Sequence, residues 1–153
     1  MSTPTGLRST LQQTNEDYMN RWLRCQGRKI VDAAKGRRWL SPIIVSSNKD
    51  SIEIDPEYEL MCAAIDDAIH SRYLEAVLND IVDVESGRIE VIEEETEGWL
   101  FWIRSSSVTF EGKFDQGSGG EVTLAQFKFA VSTFRDFLND PERKPVEVLF
   151  PEE

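Results

Sequence analysis

The chain has 153 residues, 40% of them apolar, and a formal net charge of −11. That length suits one domain able to bury a core without disulfide or metal staples. Four Trp, eight Phe and three Tyr exclude a wholly disordered chain, which lacks the apolar surface to offset the entropy of ordering. The longest apolar runs, Leu60–Ile65 and Trp99–Ile103, fall far short of the roughly 20 residues of a spanning helix.

Taken in chain order, Leu11, Tyr18, Trp22 and Cys25 recur at helical steps and predict a helix or helix pair from about Leu7 to Trp39. Arg21, Arg24, Arg28, Lys35 and Arg38 follow similar steps on another face. Pro42 ends that segment, because the residue before a proline disfavours helical geometry. Ile43–Val45 and Ile52–Ile54 read as short strands, and Asn48-Lys49-Asp50 between them as the turn of a hairpin.

Asp55 as N-cap and Pro56 at the first helical position predict a second helix. It runs to about Leu78, with Met61, Ile65, Ala68, Ile69 and Ala76 as its apolar stripe. A meander follows. One strand covers Ile89 to Glu94, Glu95–Gly98 is a turn, and Trp99–Ile103, apolar on both faces, reads as a central strand. Val108 and Phe110 alternate in a third strand, and the loop Asp115–Gly120 ends the sheet. Thr123 caps a last helix with Leu124, Phe127, Val131, Phe134 and Leu138 on one face, Asp140-Pro141 stops it, and Val146–Phe150 forms a closing strand. The pattern is α+β, with helices packed on a mostly antiparallel sheet in a single domain over residues 1–153. Within it, a basic N-terminal helical segment spans about 7–40 and an α/β body about 41–150.

Catalytic motifs are sparse. His70, the one histidine, falls four residues after Asp66 on a helix face, but no Gly-x-Ser-x-Gly elbow supplies a nucleophile. The run Gly117-Ser118-Gly119-Gly120 lacks both the Lys-Ser/Thr ending and the Gly spacing of a phosphate cradle, and Asp115 and Glu121 flank it with negative charge. A flexible connection is the expected role. Asp83–Gly87 resembles the start of a calcium loop, but its glycine arrives one position early. One His and two distant Cys exclude the compact zinc shells. No metal, cofactor or enzymatic activity is expected.

Cys25 and Cys62 are isolated, which predicts buried reduced thiols. The N-terminal residues lack the basic-then-apolar order of a signal peptide, and Ser2 stands where myristoylation needs glycine. The chain is therefore expected to be cytoplasmic and to have no membrane partner.

Charge is segregated along the chain. Residues 1–40 hold eight basic and three acidic side chains, whereas residues 50–97 hold sixteen acidic and two basic. The basic stripe from Arg21 to Arg38 resembles a phosphate-tracking face, but the overall negative field repels nucleic acid, so none is expected to bind. The acidic run repels itself, and a complementary basic protein is the partner it suits. Glu93, Glu94, Glu95 and Glu97 at the hairpin are the candidate partner-binding residues. Asp66 and Asp67 extend the patch if helix and hairpin adjoin.

In size, in the acid-rich hairpin Ile89–Trp99 and in the closing helix and strand Val122–Phe150, the chain resembles immunity proteins of bacterial contact-dependent inhibition and other polymorphic-toxin systems. The resemblance implies a small cytoplasmic inhibitor of a basic cognate toxin, such as a nuclease. The alternatives are a secretion chaperone for an effector, a nucleic-acid mimic, and an enzyme working through paired carboxylates.

Overall fold

Where helical spacing predicts a first helix, the chain is extended. The structure is a computed structural model that describes residues 21–29, 38–46, 55–68 and 71–152. Arg21–Lys29 (β1) pairs antiparallel with Arg38–Ser46 (β2) on one side and with Val146–Phe150 (β7) on the other. Leu23 and Cys25 are fully buried, while the alternate residues Trp22 and Arg24 are not, which is the two-residue period of a strand. The helical segment at 7–40 is thus corrected across its described part. Steps of three and four from Tyr18 to Cys25 suit a helix, but β1 gains both sheet partners through tertiary pairing. Leu11, Tyr18 and Lys35 lie outside the described residues.

Pro42 ends nothing. It sits within β2, opposite Cys25. Among the described residues the sheet order is β2-β1-β7, which puts β2 at an edge, where a missing N–H is tolerated. Ile43–Val45 is a strand as expected, and among the described residues β2 pairs with β1. Asn48–Asp50, Ile52 and Ile54 lie outside the described residues.

Asp55 caps the next element as its position suggests. Its Oδ1 accepts from Glu57 N at 3.0 Å, and Pro56–Tyr58 forms a 3₁₀ turn leading into Glu59–Asp66 (α1). The predicted helix to Leu78 is in fact two, because α1 stops at Asp66 and Ser71–Glu85 (α2) is a separate helix. In α1, Met61, Cys62, Ala64 and Ile65 are buried, and Ala68 is buried just beyond it; in α2 the buried set is Leu74, Val77, Ile81 and Val84, and Ala76 is exposed. At about 100° per residue, the Met61–Ile65–Ala68 stripe and the α2 stripe fall on opposite sides of one continuous helix. Only a break lets both face the core.

A second sheet has the order β3-β4-β5-β6, all antiparallel: Val91–Glu95, Trp99–Arg104, Ser107–Gly112 and Ser118–Thr123. The Trp99–Arg104 strand is interior, as its apolar run implies, with Trp99, Phe101 and Ile103 buried and Leu100 and Trp102 half-buried on the outer face. β6 replaces the expected loop. Near Gly120 (φ +54°) it carries an extra residue opposite β5, and a Cβ there would come within 2.8 Å of Leu60 Cβ. Its glycines let α1 lie directly on the strand backbone, and they also mask the strand's sequence pattern.

Thr123 closes a capping box with Gln126 at the start of Leu124–Asn139 (α3). The predicted face of Leu124, Phe127, Val131, Phe134 and Leu138 is buried. Phe127 lies 5.7 Å from Phe101 and 5.9 Å from Phe110, and Phe129 meets Phe150 of the other sheet edge-on at 6.0 Å. α3 therefore serves both sheets, and the buried side chains form one cluster. The protein is a single α+β domain, and among the described residues no helix is long and apolar enough to cross a membrane.

Replacing Phe101 with Ala should cost about 3–5 kcal/mol, the usual loss for a fully packed aromatic. Trp102→Ala, on the half-buried face, should cost clearly less. Denaturant unfolding of both variants checks this, and equal losses would contradict the assignment of faces.

Candidate functional site

The β3–β4 turn closes tightly. Thr96 N donates to Trp99 O at 2.9 Å, and Trp99 N donates to Thr96 Oγ1 at 3.1 Å. The β5–β6 turn lies beside it at the same end of the sheet. Lys113 N and Gln116 Nε2 both donate to Gly98 O, at 2.9 and 3.0 Å, and the Lys113 ammonium pairs with Glu95. From below, Asp67 Oδ2 accepts from Gly98 N at 2.9 Å. Helix and hairpin do adjoin, through a carboxylate that satisfies a turn amide.

This arrangement divides the six candidate acidic residues. Glu93 and Glu95 are exposed on the outer face of β3, and Glu97 is exposed at the turn. In register, Glu93 lies opposite Trp102 and Glu95 opposite Leu100. The outer face thus sets carboxylates beside half-buried apolar side chains, a mixture common at protein interfaces.

Glu94, Asp66 and Asp67 are only partly exposed, and do not belong to this outer patch. Glu94 points to the helical face by strand alternation. There its Oε2 accepts from the Tyr73 hydroxyl at 3.1 Å. Burial, and then hydrogen bonding to Asp80 with that residue's negative charge, push the Glu94 carboxyl up to about 7. Burial also raises Tyr73, with Glu94 adding to the effect. Neither Tyr73 nor Asp80 is among the six candidates, although their seven-residue spacing puts them on one helix face.

Other acidic groups have cationic partners. Arg21 Nε donates to buried Asp55 at 2.7 Å, and Arg24 meets Glu147 across the β1–β7 pair at 2.9 Å. The supposed helical stripe therefore has Arg21 and Arg24 on opposite faces of a strand, each held by a carboxylate. Lys128–Glu85, Arg135–Glu75 and Arg88–Asp83 are further pairs.

Cys25 and Cys62 are both buried thiols, and burial pushes the Cys25 thiol up to about 12, so it stays protonated. His70 lies outside the described residues. Among the described residues, no cluster of three or more His, Cys, Asp or Glu is placed to hold a metal ion. An open groove of about 620 Å³, lined by Glu85, Ser105, Leu124, Ala125, Lys128, Phe129 and Ser132, does not include Glu94.

Comparison with protein-family models, with curated proteins and with solved structures yields no match in any of the three.

The raised Glu94 carboxyl has a consequence for stability. The folded state holds a proton that the unfolded chain, with its carboxyl near 4.5, releases earlier. Between about pH 4.5 and 7 the folded state binds more protons, so stability falls as pH rises through this window. Glu94→Gln keeps an acceptor for Tyr73 and gains a donor for Asp80. It should be more stable than the parent at pH 8, with the advantage vanishing towards pH 4.5. Thermal unfolding across this range tests the point, and parallel profiles would count against it.

Proposed function

We propose that this chain is a small acidic binding protein that neutralises a basic protein partner, as an immunity protein neutralises a cognate toxin such as a nuclease. The observation that carries the reading is the exposure of Glu93 and Glu97 at the hairpin, without an ion pair among the described residues. Excess charge adds support. With 28 acidic against 17 basic side chains, carboxylates stay in surplus even if every cation is paired internally. A nuclease domain is basic because it grips phosphates, and opposite fields speed the encounter of the two proteins.

Carboxylate catalysis is the competing reading, and the raised Glu94 favours it. Its arrangement does not. Paired glycosidase carboxyls stand roughly 5–9 Å apart across a substrate, whereas Asp80 is near enough to raise the Glu94 carboxyl directly and the Tyr73 hydroxyl occupies a Glu94 oxygen. On the proposed reading, Glu94 is structural.

Growth rescue is the direct test. A toxin encoded beside this gene should arrest growth when expressed alone, and co-expression of this chain should restore it. With the purified pair, reversing Glu93 and Glu97 to Lys should slow association and flatten its salt dependence, since rim charges act mainly on the on-rate. Unchanged association across salt concentrations would remove the acidic hairpin from the interface, and a neighbouring operon without a toxin would remove the immunity reading.

A further inference from the structure

Phe114 is the most exposed large apolar side chain among the described residues, at 74%. A lone surface aromatic is ordinarily of no consequence. This one sits on a turn whose backbone is tied at many points. Phe114 N donates to Gln116 Oε1 at 2.6 Å, and Gly112 N donates to Gly117 O at 2.8 Å. The flanking residues Lys113 and Gln116 bind Gly98 O, and Lys113 also pairs with Glu95. Asp115, the next residue, adopts φ +63°, a left-handed conformation uncommon outside glycine. The turn is thus held in one shape while its aromatic ring is left in water.

The location matters as much as the exposure. These contacts fasten the Phe114 turn to the acidic β3–β4 turn, so the residue that carries the ring lies on a turn bonded directly to the Glu95–Gly98 turn, next to Asp115 and to the Lys113 that pairs with Glu95. Interface hot spots are enriched in aromatic anchors with a polar rim, and here an exposed aromatic and an acidic turn share one end of the sheet. Because the backbone is already ordered, little entropy is lost when the ring is buried.

We infer that Phe114 is the apolar anchor of the partner-binding surface, and that the partner presents an apolar pocket rimmed by Lys or Arg. The inference rests on the acidic-hairpin reading and sharpens it, because carboxylates alone would accept any cationic surface. The anchor selects those with a pocket at the centre.

Two short synthetic peptides of equal charge test it, one of Lys-Lys-Leu repeats and one of Lys-Lys-Ser repeats. Binding is followed by amide chemical shifts of the full chain at low salt. The wild-type protein should prefer the Leu peptide by about tenfold, the effect of burying part of one apolar side chain, with shifts concentrated at residues 95–98 and 112–117. Phe114→Ser should abolish that preference and leave affinity for the Ser peptide unchanged, and Phe114→Leu should retain most of it. Spectra away from the turn report whether each variant is folded.

Reversal of Glu93 and Glu97 to Lys should weaken both peptides. If Phe114→Ser keeps the Leu preference, or the wild type shows none, the anchor is overturned while the acidic surface stands. If charge reversal changes neither peptide, or neither binds the wild type, the acidic surface falls and the anchor with it.

Discussion

The packing of α3 against two sheets is the constraint on which the rest depends. Phe127 sits between Phe101 and Phe110 of one sheet, while Phe129, two residues on, reaches Phe150 of the other. One helix thereby joins strands from both ends of the chain into a common core. Gln126, the residue before Phe127 and itself buried, uses its amide where apolar packing cannot serve. Its Oε1 caps Thr123, and its Nε2 donates to Tyr58 Oη and the carbonyl oxygens of Pro151 and Glu152. A buried amide so placed must keep its partners or bear the full cost of desolvation. The first turn of α3 therefore holds the α1 entrance and the C-terminal strand in register.

That arrangement also sorts the acidic residues. A carboxylate within reach of the core needs a donor, and three have one: Asp55 has Arg21 and the Glu57 amide, Asp67 has the Gly98 amide, and Glu94 has Tyr73. Such groups hold the fold together. The carboxylates facing away from the helices, Glu93 and Glu97, contribute repulsion and little else to stability. The division between structural and displayed charge thus follows from which face of a strand or turn each residue occupies. The acidic content alone does not reveal it.

Part of this was legible beforehand. The hairpin itself, its turn at Glu95–Gly98 and the strand Trp99–Ile103 follow from local patterning. Alternation along β3 puts Glu93 and Glu95 on one side and Glu94 on the other. Phe114 carried no such signal. It stands alone between Lys113 and Asp115 in a stretch that reads as loop, and its position beside the acidic turn arises from bonds to Gly98, distant in sequence.

By itself, the amino-acid sequence determined the elements whose energetics are local: the Asp55-Pro56 helix start, the Thr123–Gln126 capping box, the amphipathic face of α3 and the Trp99–Ile103 strand. Each depends on a cap, a turn or a periodicity contained within a few neighbouring residues. Tertiary structure decided the rest. Arg21–Lys29 is a strand because β2 and β7 supply its hydrogen bonds. Ser118–Thr123 is a strand because β5 pairs with it and α1 covers its glycines. The helix predicted from Pro56 to about Leu78 breaks because its two apolar stripes must face one core. In each case the deciding free energy comes from partners far along the chain, and no local window of sequence contains them.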